Sequence, residues 1–188
     1  TAPMWLESGD FNRDGKLDLV SADFGTNTLT VLLGQGDATF RAPMTLPSIE
    51  RSSYVRAADL NRDGKLDLVA SGEGEMNLGI FLGNGDGTFG AMQKLPIGGM
   101  SGAGITIADL NGDSVPDIAA VRPFTAPVRV FLGRGDGTFG PEKGFSTAGN
   151  SVFGIAAGDF NNDGRMDLVA SDGGDNSVSV LLNTTVSR

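Results

Sequence analysis

Asp10-Phe11-Asn12-Arg13-Asp14-Gly15-Lys16-Leu17-Asp18 returns three more times in the chain, as Asp59 to Asp67, Asp109 to Asp117 and Asp159 to Asp167. Each copy places Asp, Asn, Asp and Asp at loop positions 1, 3, 5 and 9. Three copies have Gly at position 6 (Gly15, Gly64, Gly164), and the third copy has Ser114. A chain that curls around a point offers every second side chain to it, so alternating oxygen side chains closed by a sharp turn describe a cradle for a hard cation. Position 7, which is Lys16, Lys65, Val115 or Arg165, supplies a backbone carbonyl in such a cradle and leaves its side chain free to vary.

Calcium is the cation this donor set suits. The chain has no His and no Cys, which excludes the usual zinc, copper and iron sites. Magnesium keeps its waters in preference to a full protein cage. The bland alternative is a polar turn, because Asp and Asn hydrogen-bond their own backbone and Gly supplies positive φ. Four copies in register, each with a further Asp at position 9, favour metal over turn. An EF-hand is excluded, because position 12 (Ser21, Ala70, Ala120, Ala170) is never Glu and strand-like sequence follows each loop.

Net charge is −9, and twelve of the twenty-three acidic residues lie in the four loops, so four bound Ca²⁺ would bring the formal charge to −1. The acidity therefore belongs to the candidate metal sites. With no basic stripe to neutralise phosphates, nucleic acid is not expected as a partner. No apolar run reaches the eighteen or so residues of a membrane-spanning helix, so no membrane insertion is expected. The 188 residues, 39% of them hydrophobic, suffice for one substantial core. The start at Thr1 without Met reads as a processed or excised piece, and the lack of Cys is compatible with secretion.

The first Asp of the loop recurs at 10, 59, 109 and 159, and a second landmark keeps step with it: Leu33 to Phe40, Leu82 to Phe89 and Leu132 to Phe139, each a Gly-rich turn ending in Thr-Phe. A period near 50 residues built from short strands indicates a β-propeller. One unit reads as four strands. The first ends at the loop in small residues (Ala57-Ala58, Ala156-Ala157-Gly158), the second follows the loop, the third is an apolar run before the Gly-rich turn, and the fourth begins at Phe40, Phe89 or Phe139. Strands two and three are apolar on both faces, as Leu17, Leu19 and Val20 show, so both faces of each sheet should be covered. The expected fold is all-β: a single domain, 1–188, of about four four-stranded antiparallel blades (about 1–47, 48–97, 98–147 and 148–188). The last blade lacks its outer strand, since no Gly-rich turn follows Leu182.

The two recurring blocks resemble the FG-GAP/VCBS repeat family, the integrin-α-like propeller blades with a calcium loop between their first two strands. The resemblance covers almost the whole chain. It implies about four structural Ca²⁺, held by the side chains of Asp10, Asn12, Asp14 and Asp18; of Asp59, Asn61, Asp63 and Asp67; of Asp109, Asn111, Asp113 and Asp117; and of Asp159, Asn161, Asp163 and Asp167. The third site is expected to be the weakest, because Ser114 stands where the other loops have Gly. Family rings have seven or eight blades, so four blades imply half a ring, either a fragment of a longer chain or one that pairs with itself as a dimer.

In such a blade the calcium loops and Gly-rich turns share one end. The strand 2–3 loops at the other end differ between repeats: 23–27, 72–76, 122–126 and 172–176. That pattern suits a scaffold at one end and a ligand surface at the other, although plain loop drift would also produce it. No catalytic residues and no cofactor other than calcium are expected. Glu73 and Glu75 on one Gly-rich loop are a weak acid/base pair and read better as solvated charge. The resemblance implies a non-catalytic scaffold for extracellular or cell-surface binding or adhesion, in a bacterial setting, with a protein or glycan ligand. The alternatives are a lectin-like module and an accessory domain of a polysaccharide-degrading enzyme. Arg134-Gly135-Asp136 fills the slot of Gln35-Gly36-Asp37 and Asn84-Gly85-Asp86, so it reads as a hairpin turn, and Asn183-Thr184-Thr185 is a glycosylation pattern.

Overall fold

The computed structural model describes residues 2–98, 104–121, 127–149 and 151–185. Among them lie fifteen strands in four antiparallel sheets and no helix. The first sheet has the order β1 (Pro3–Gly9), β2 (Asp18–Asp23), β3 (Thr28–Leu32), β4 (Met44–Pro47), and the second β5 (Ser52–Ala58), β6 (Asp67–Gly72), β7 (Asn77–Phe81), β8 (Gln93–Pro96). The third comprises β9 (Ile105–Ala108), β10 (Asp117–Ala120), β11 (Pro127–Phe131) and β12 (Lys143–Ser146). The fourth has β13 (Val152–Gly158), β14 (Asp167–Asp172) and β15 (Ser177–Leu181), and no outer strand among the described residues. Each sheet is an up-and-down propeller blade. Two compact units contain two blades each: unit one, Thr1–Gly102, and unit two, Ala103–Arg188.

Register repeats as faithfully as sequence. The last residue of each first strand is small (Gly9, Ala58, Ala108, Gly158) and pairs with the position-9 Asp that opens the second strand. A bulge interrupts the pairing at the same place in three blades, between Pro3 and Trp5, Ser52 and Tyr54, and Val152 and Gly154. Bulges add local right-handed twist to the bulged strand.

In unit one, Val20, Leu29, Val31 and Leu33 of blade one pack with Val55, Leu68 and Phe81 of blade two. The first strands of the two blades are tied by the Arg56–Glu7 ion pair at 2.8 Å, by the Arg56 guanidinium over the Trp5 ring and by Trp5 against Tyr54 at 4.8 Å. In unit two, Val128, Val130 and Leu110 of blade three pack with Val152, Ile155 and Leu168 of blade four. The expectation of apolar residues covered on both faces holds for β6, which is buried throughout, but not for β15: Val178 and Val180 are 63% and 54% exposed, where their blade-three equivalents Val128 and Val130 are buried.

The fourth strands start later than the sequence suggests, at Met44, Gln93 and Lys143. Phe40, Phe89 and Phe139 instead form isolated bridges to Gly34, Gly83 and Gly133, which pin the turn before the chain re-enters the sheet. Those glycines are required by close approach: a Cβ would lie 2.1 Å from the Leu17 carbonyl oxygen at Gly34, 2.2 Å from that of Leu66 at Gly83, and 2.3 Å from that of Pro116 at Gly133.

Candidate metal centre

Each acidic loop joins the first and second strands of its blade, and four loops fold alike. In the first, the Asp10 carboxylate accepts the N–H groups of Asp14 (3.0 Å) and Gly15 (2.8 Å), the Asn12 side-chain oxygen accepts Asp14 N–H (3.0 Å), and Asp14 accepts Lys16 N–H (3.0 Å). Asp59, Asn61 and Asp63 repeat this pattern with Gly64 and Lys65; Asp109, Asn111 and Asp113 with Ser114 and Val115; and Asp159, Asn161 and Asp163 with Gly164 and Arg165. The oxygens of positions 1, 3 and 5 are thus turned inward by the loop's own amides.

Position 9 is different in kind. Asp18, Asp67, Asp117 and Asp167 are fully buried. One oxygen of each accepts the position-2 amide of its own loop: Phe11 (2.8 Å), Leu60 (2.8 Å), Leu110 (2.9 Å) and Phe160 (3.0 Å). The other accepts the amide two residues past the third strand: Gly34 (2.8 Å), Gly83 (2.7 Å), Gly133 (2.8 Å) and Asn183 (2.7 Å), the first three opening the Gly-rich turn. This carboxylate therefore staples the acidic loop to the segment after the third strand, which is the Gly-rich turn in the first three blades, a role that the ligand pattern alone does not disclose. Burial pushes the Asp67 and Asp117 carboxyls above their ordinary value, against the two amides that favour the ionised form.

The position-7 side chains differ in what they do to the loop. Burial would raise the Asp63 and Asp163 carboxyls, but the hydrogen bonds and charge of Lys65 with Asn61 hold Asp63 below the ordinary carboxylate value, and Asn161 with Arg165 does the same for Asp163. Lys65 pairs with Asp63 at 3.1 Å, and Arg165 pairs with Asp163. Val115 is buried and brings no counter-charge to the third loop.

The third loop does not carry the handicap expected of Ser114. Two positions in every loop have left-handed backbone, 4 and 6: Arg13 and Gly15, Arg62 and Gly64, Gly112 and Ser114, Asn162 and Gly164. The third loop has exchanged the two residue types, so each loop holds one non-glycine residue in this region. We expect Ser114→Gly and Arg62→Gly each to stabilise the chain by roughly 0.5–1 kcal/mol, and by similar amounts, in urea denaturation.

Among the described residues no three carboxylates already converge as a metal-holding cluster. The donor set nevertheless fits a hard cation in its chemistry. Each loop brings three carboxylates and an amide oxygen onto a backbone already turned around them, and a carboxylate that accepts one or two amides keeps further lone pairs.

Elsewhere the structure assigns tempting motifs to turns. Asp136 accepts both the Thr138 amide (2.9 Å) and its hydroxyl (2.6 Å), as Asp86 does with Thr88 and Asp37 with Thr39. These Thr hydroxyls lower all three carboxyls. The Asn183 amide nitrogen is engaged, donating to the carbonyls of Leu110 (2.8 Å) and Met166 (3.0 Å). At the opposite end of unit one, the Asn27 side chain accepts Arg51 N–H (2.7 Å), and the Arg51 guanidinium lies over Phe24 and pairs with Glu73 at 3.2 Å. The strand 2–3 loops of blades one and two thus meet the connection between them. The loop at 122–126 lies outside the described residues.

Repeating antiparallel blades, each with an acidic loop between its first two strands, define a β-propeller repeat protein. The chain belongs to the FG-GAP-like repeat family, which matches residues 10–70, 67–120 and 120–170. No curated protein sequence matches it. Among solved structures it is similar to a lectin of Agrocybe aegerita that recognises non-reducing terminal N-acetylglucosamine, with 24% identity and a TM-score of 0.60 over 94% of this chain and 51% of the lectin. It is also similar to the Photorhabdus luminescens Tc holotoxin pore, with 19% identity and a TM-score of 0.59 over 94% of this chain and 9% of that one. The chain spans about half the length of the lectin, and at these identities the likeness is one of fold.

Proposed function

We propose that this chain is a non-catalytic β-propeller scaffold, tied by about four structural Ca²⁺, that binds a protein or glycan outside the cell. The observation that carries this reading is the fourfold repetition of one all-oxygen loop, stapled in every blade by a buried Asp to the segment that follows the third strand. An ion in a loop would take the side chains of positions 1, 3, 5 and 9 and the position-7 carbonyl. It would neutralise three carboxylates that otherwise repel one another, and would stiffen the stapled end of the blade. The opposite end, where Phe24, Asn27, Arg51 and Glu73 gather, then serves as the ligand surface. No helix among the described residues is long and apolar enough to cross a membrane. The propeller is completed by a second copy of this chain or by further blades of a longer one.

A second reading takes the ligand to be a carbohydrate. The likeness to a lectin that recognises terminal N-acetylglucosamine favours it. The test for both readings is binding in calcium to a glycan array and to immobilised cell-surface protein. It compares the chain with a variant in which loops 24–27 and 173–176 are replaced by Gly and Ser. We expect the variant to lose binding while its melting transition stays cooperative and calcium-dependent; binding that survives in the variant would move the ligand surface elsewhere.

A further inference from the structure

In loops one and three the position-2 residue is held from both sides. Its amide donates to the position-9 Asp of its own blade, Phe11 to Asp18 at 2.8 Å and Leu110 to Asp117 at 2.9 Å. Its carbonyl accepts a hydrogen bond from the next blade of the same unit: Gly87 N–H reaches that of Phe11 at 3.0 Å, and the Asn183 side-chain amide reaches that of Leu110 at 2.8 Å.

The donor in each case belongs to the segment that the next blade's position-9 Asp also grips. In unit two a single residue makes both contacts, because the backbone N–H of Asn183 donates to Asp167 at 2.7 Å. Asp167 in turn accepts the position-2 amide of loop four, that of Phe160, at 3.0 Å. In unit one the link runs through the Gly-rich turn of blade two, where Gly83 N–H donates to Asp67 (2.7 Å) and Asp67 accepts Leu60 N–H (2.8 Å). That turn is braced internally by Asn84 N–H to the Thr88 carbonyl (3.0 Å) and Gly90 N–H to that of Leu82 (2.7 Å), which ties Gly83 and Gly87 into one rigid piece. The Phe89 ring, edge-on to Phe11 at 5.8 Å, adds an apolar contact across the same joint.

One continuous path of hydrogen bonds thus joins Asp18 to Asp67 in unit one, and another joins Asp117 to Asp167 in unit two. All four are fully buried carboxylates of the ligand set, so each path runs from one acidic loop into the next. The link recurs although its atoms do not: a backbone amide supplies it in unit one and a side-chain amide in unit two. Energetic coupling between two sites travels through contiguous networks of this kind.

Resting on calcium as the resident ion, we propose that the two loops of each unit bind it as a cooperative pair, and that Asn183 is the positioning residue that couples them in unit two. Asp117, once engaged as a ligand, fixes the Leu110 peptide between its neighbours Asp109 and Asn111. Leu110 then fixes Asn183, and Asn183 holds Asp167 in place for loop four before that loop is filled. The ordering is done once for both loops, so the second binds more tightly than it would alone.

The test uses the intact chain with loops one and two disabled by Asp14→Ala and Asp63→Ala. Loops three and four are then titrated with Ca²⁺ against a competing chelator. Adding Asp113→Ala or Asp163→Ala gives the two single-site binding constants. We expect the overall constant of the two-site chain to exceed their product by about tenfold, within the range usual for coupled sites. Asn183→Ala leaves every ligand in place and retains the backbone N–H to Asp167, so it should abolish that excess while both sites still fill. Absence of the excess overturns the proposal, and so does an excess that persists in Asn183→Ala. The first comparison needs no change at Asn183 and decides the matter even where that variant folds poorly. A chain that binds no Ca²⁺ in any form fails the calcium reading itself, and the coupling with it.

Discussion

Asp67→Ala is expected to lower stability by about 3–5 kcal/mol in urea denaturation, with or without calcium. The carboxylate is fully buried, and its two oxygens hold the amides of Leu60 and Gly83 at 2.8 and 2.7 Å. Truncation leaves both N–H groups without an acceptor, at roughly 1–3 kcal/mol each for an unmet buried group. Asp67→Asn keeps one acceptor oxygen and should cost about half as much. A substitution that merely removed a metal ligand would have no effect in chelator, so the loss that persists in chelator measures the staple. Asp117, held by Leu110 and Gly133, should behave the same way in unit two.

Chelation is the second large effect. A ligand that binds only the folded state stabilises it by about 2.7 kcal/mol per site at a hundredfold excess over its dissociation constant. Each unit carries two loops, so excess chelator should cost each about 5 kcal/mol and lower its melting temperature by on the order of 20 °C, read by scanning calorimetry. The size of the effect should depend on pH. Burial holds Asp67 and Asp117 above the ordinary carboxylate value of 3.8, so folding favours their protonated form, and the metal-free chain gains stability as pH falls toward that range. Calcium needs the same groups ionised, so its contribution shrinks over that interval. Melting curves in calcium and in chelator should therefore converge on acidification. Asp63 and Asp163 lie below 3.8, and the stability they contribute is lost only at lower pH.

The 50-residue period, the acidic loops and three strands of each blade could be read from the sequence, because turn residues and apolar runs punctuate them directly. The start of the fourth strand could not. Phe40, Phe89 and Phe139 look like first strand residues but make single bridges to glycines at which a Cβ would lie about 2 Å from a neighbouring carbonyl oxygen, a tightness that no side-chain pattern records. Ser114 was legible as a departure, but its consequence was not. The compensating Gly112 sits two residues earlier, at a position whose left-handed φ shows only in the backbone. Asp18 and its equivalents could be recognised as ligand-type residues, whereas their contact with an amide sixteen residues on is tertiary. The exposure of Val178 and Val180 was likewise hidden, since their sequence is that of the buried repeats.

The measurement that bears most directly on a calcium-tied scaffold is a calorimetric titration of the metal-stripped chain with Ca²⁺, with magnesium as the control. About four ions bound per chain, reduced by one in Asp14→Ala and by one in Asp113→Ala, with magnesium far weaker, is the predicted result. No heat of binding and no change in melting temperature would contradict it and leave the four loops as hydrogen-bonded turns.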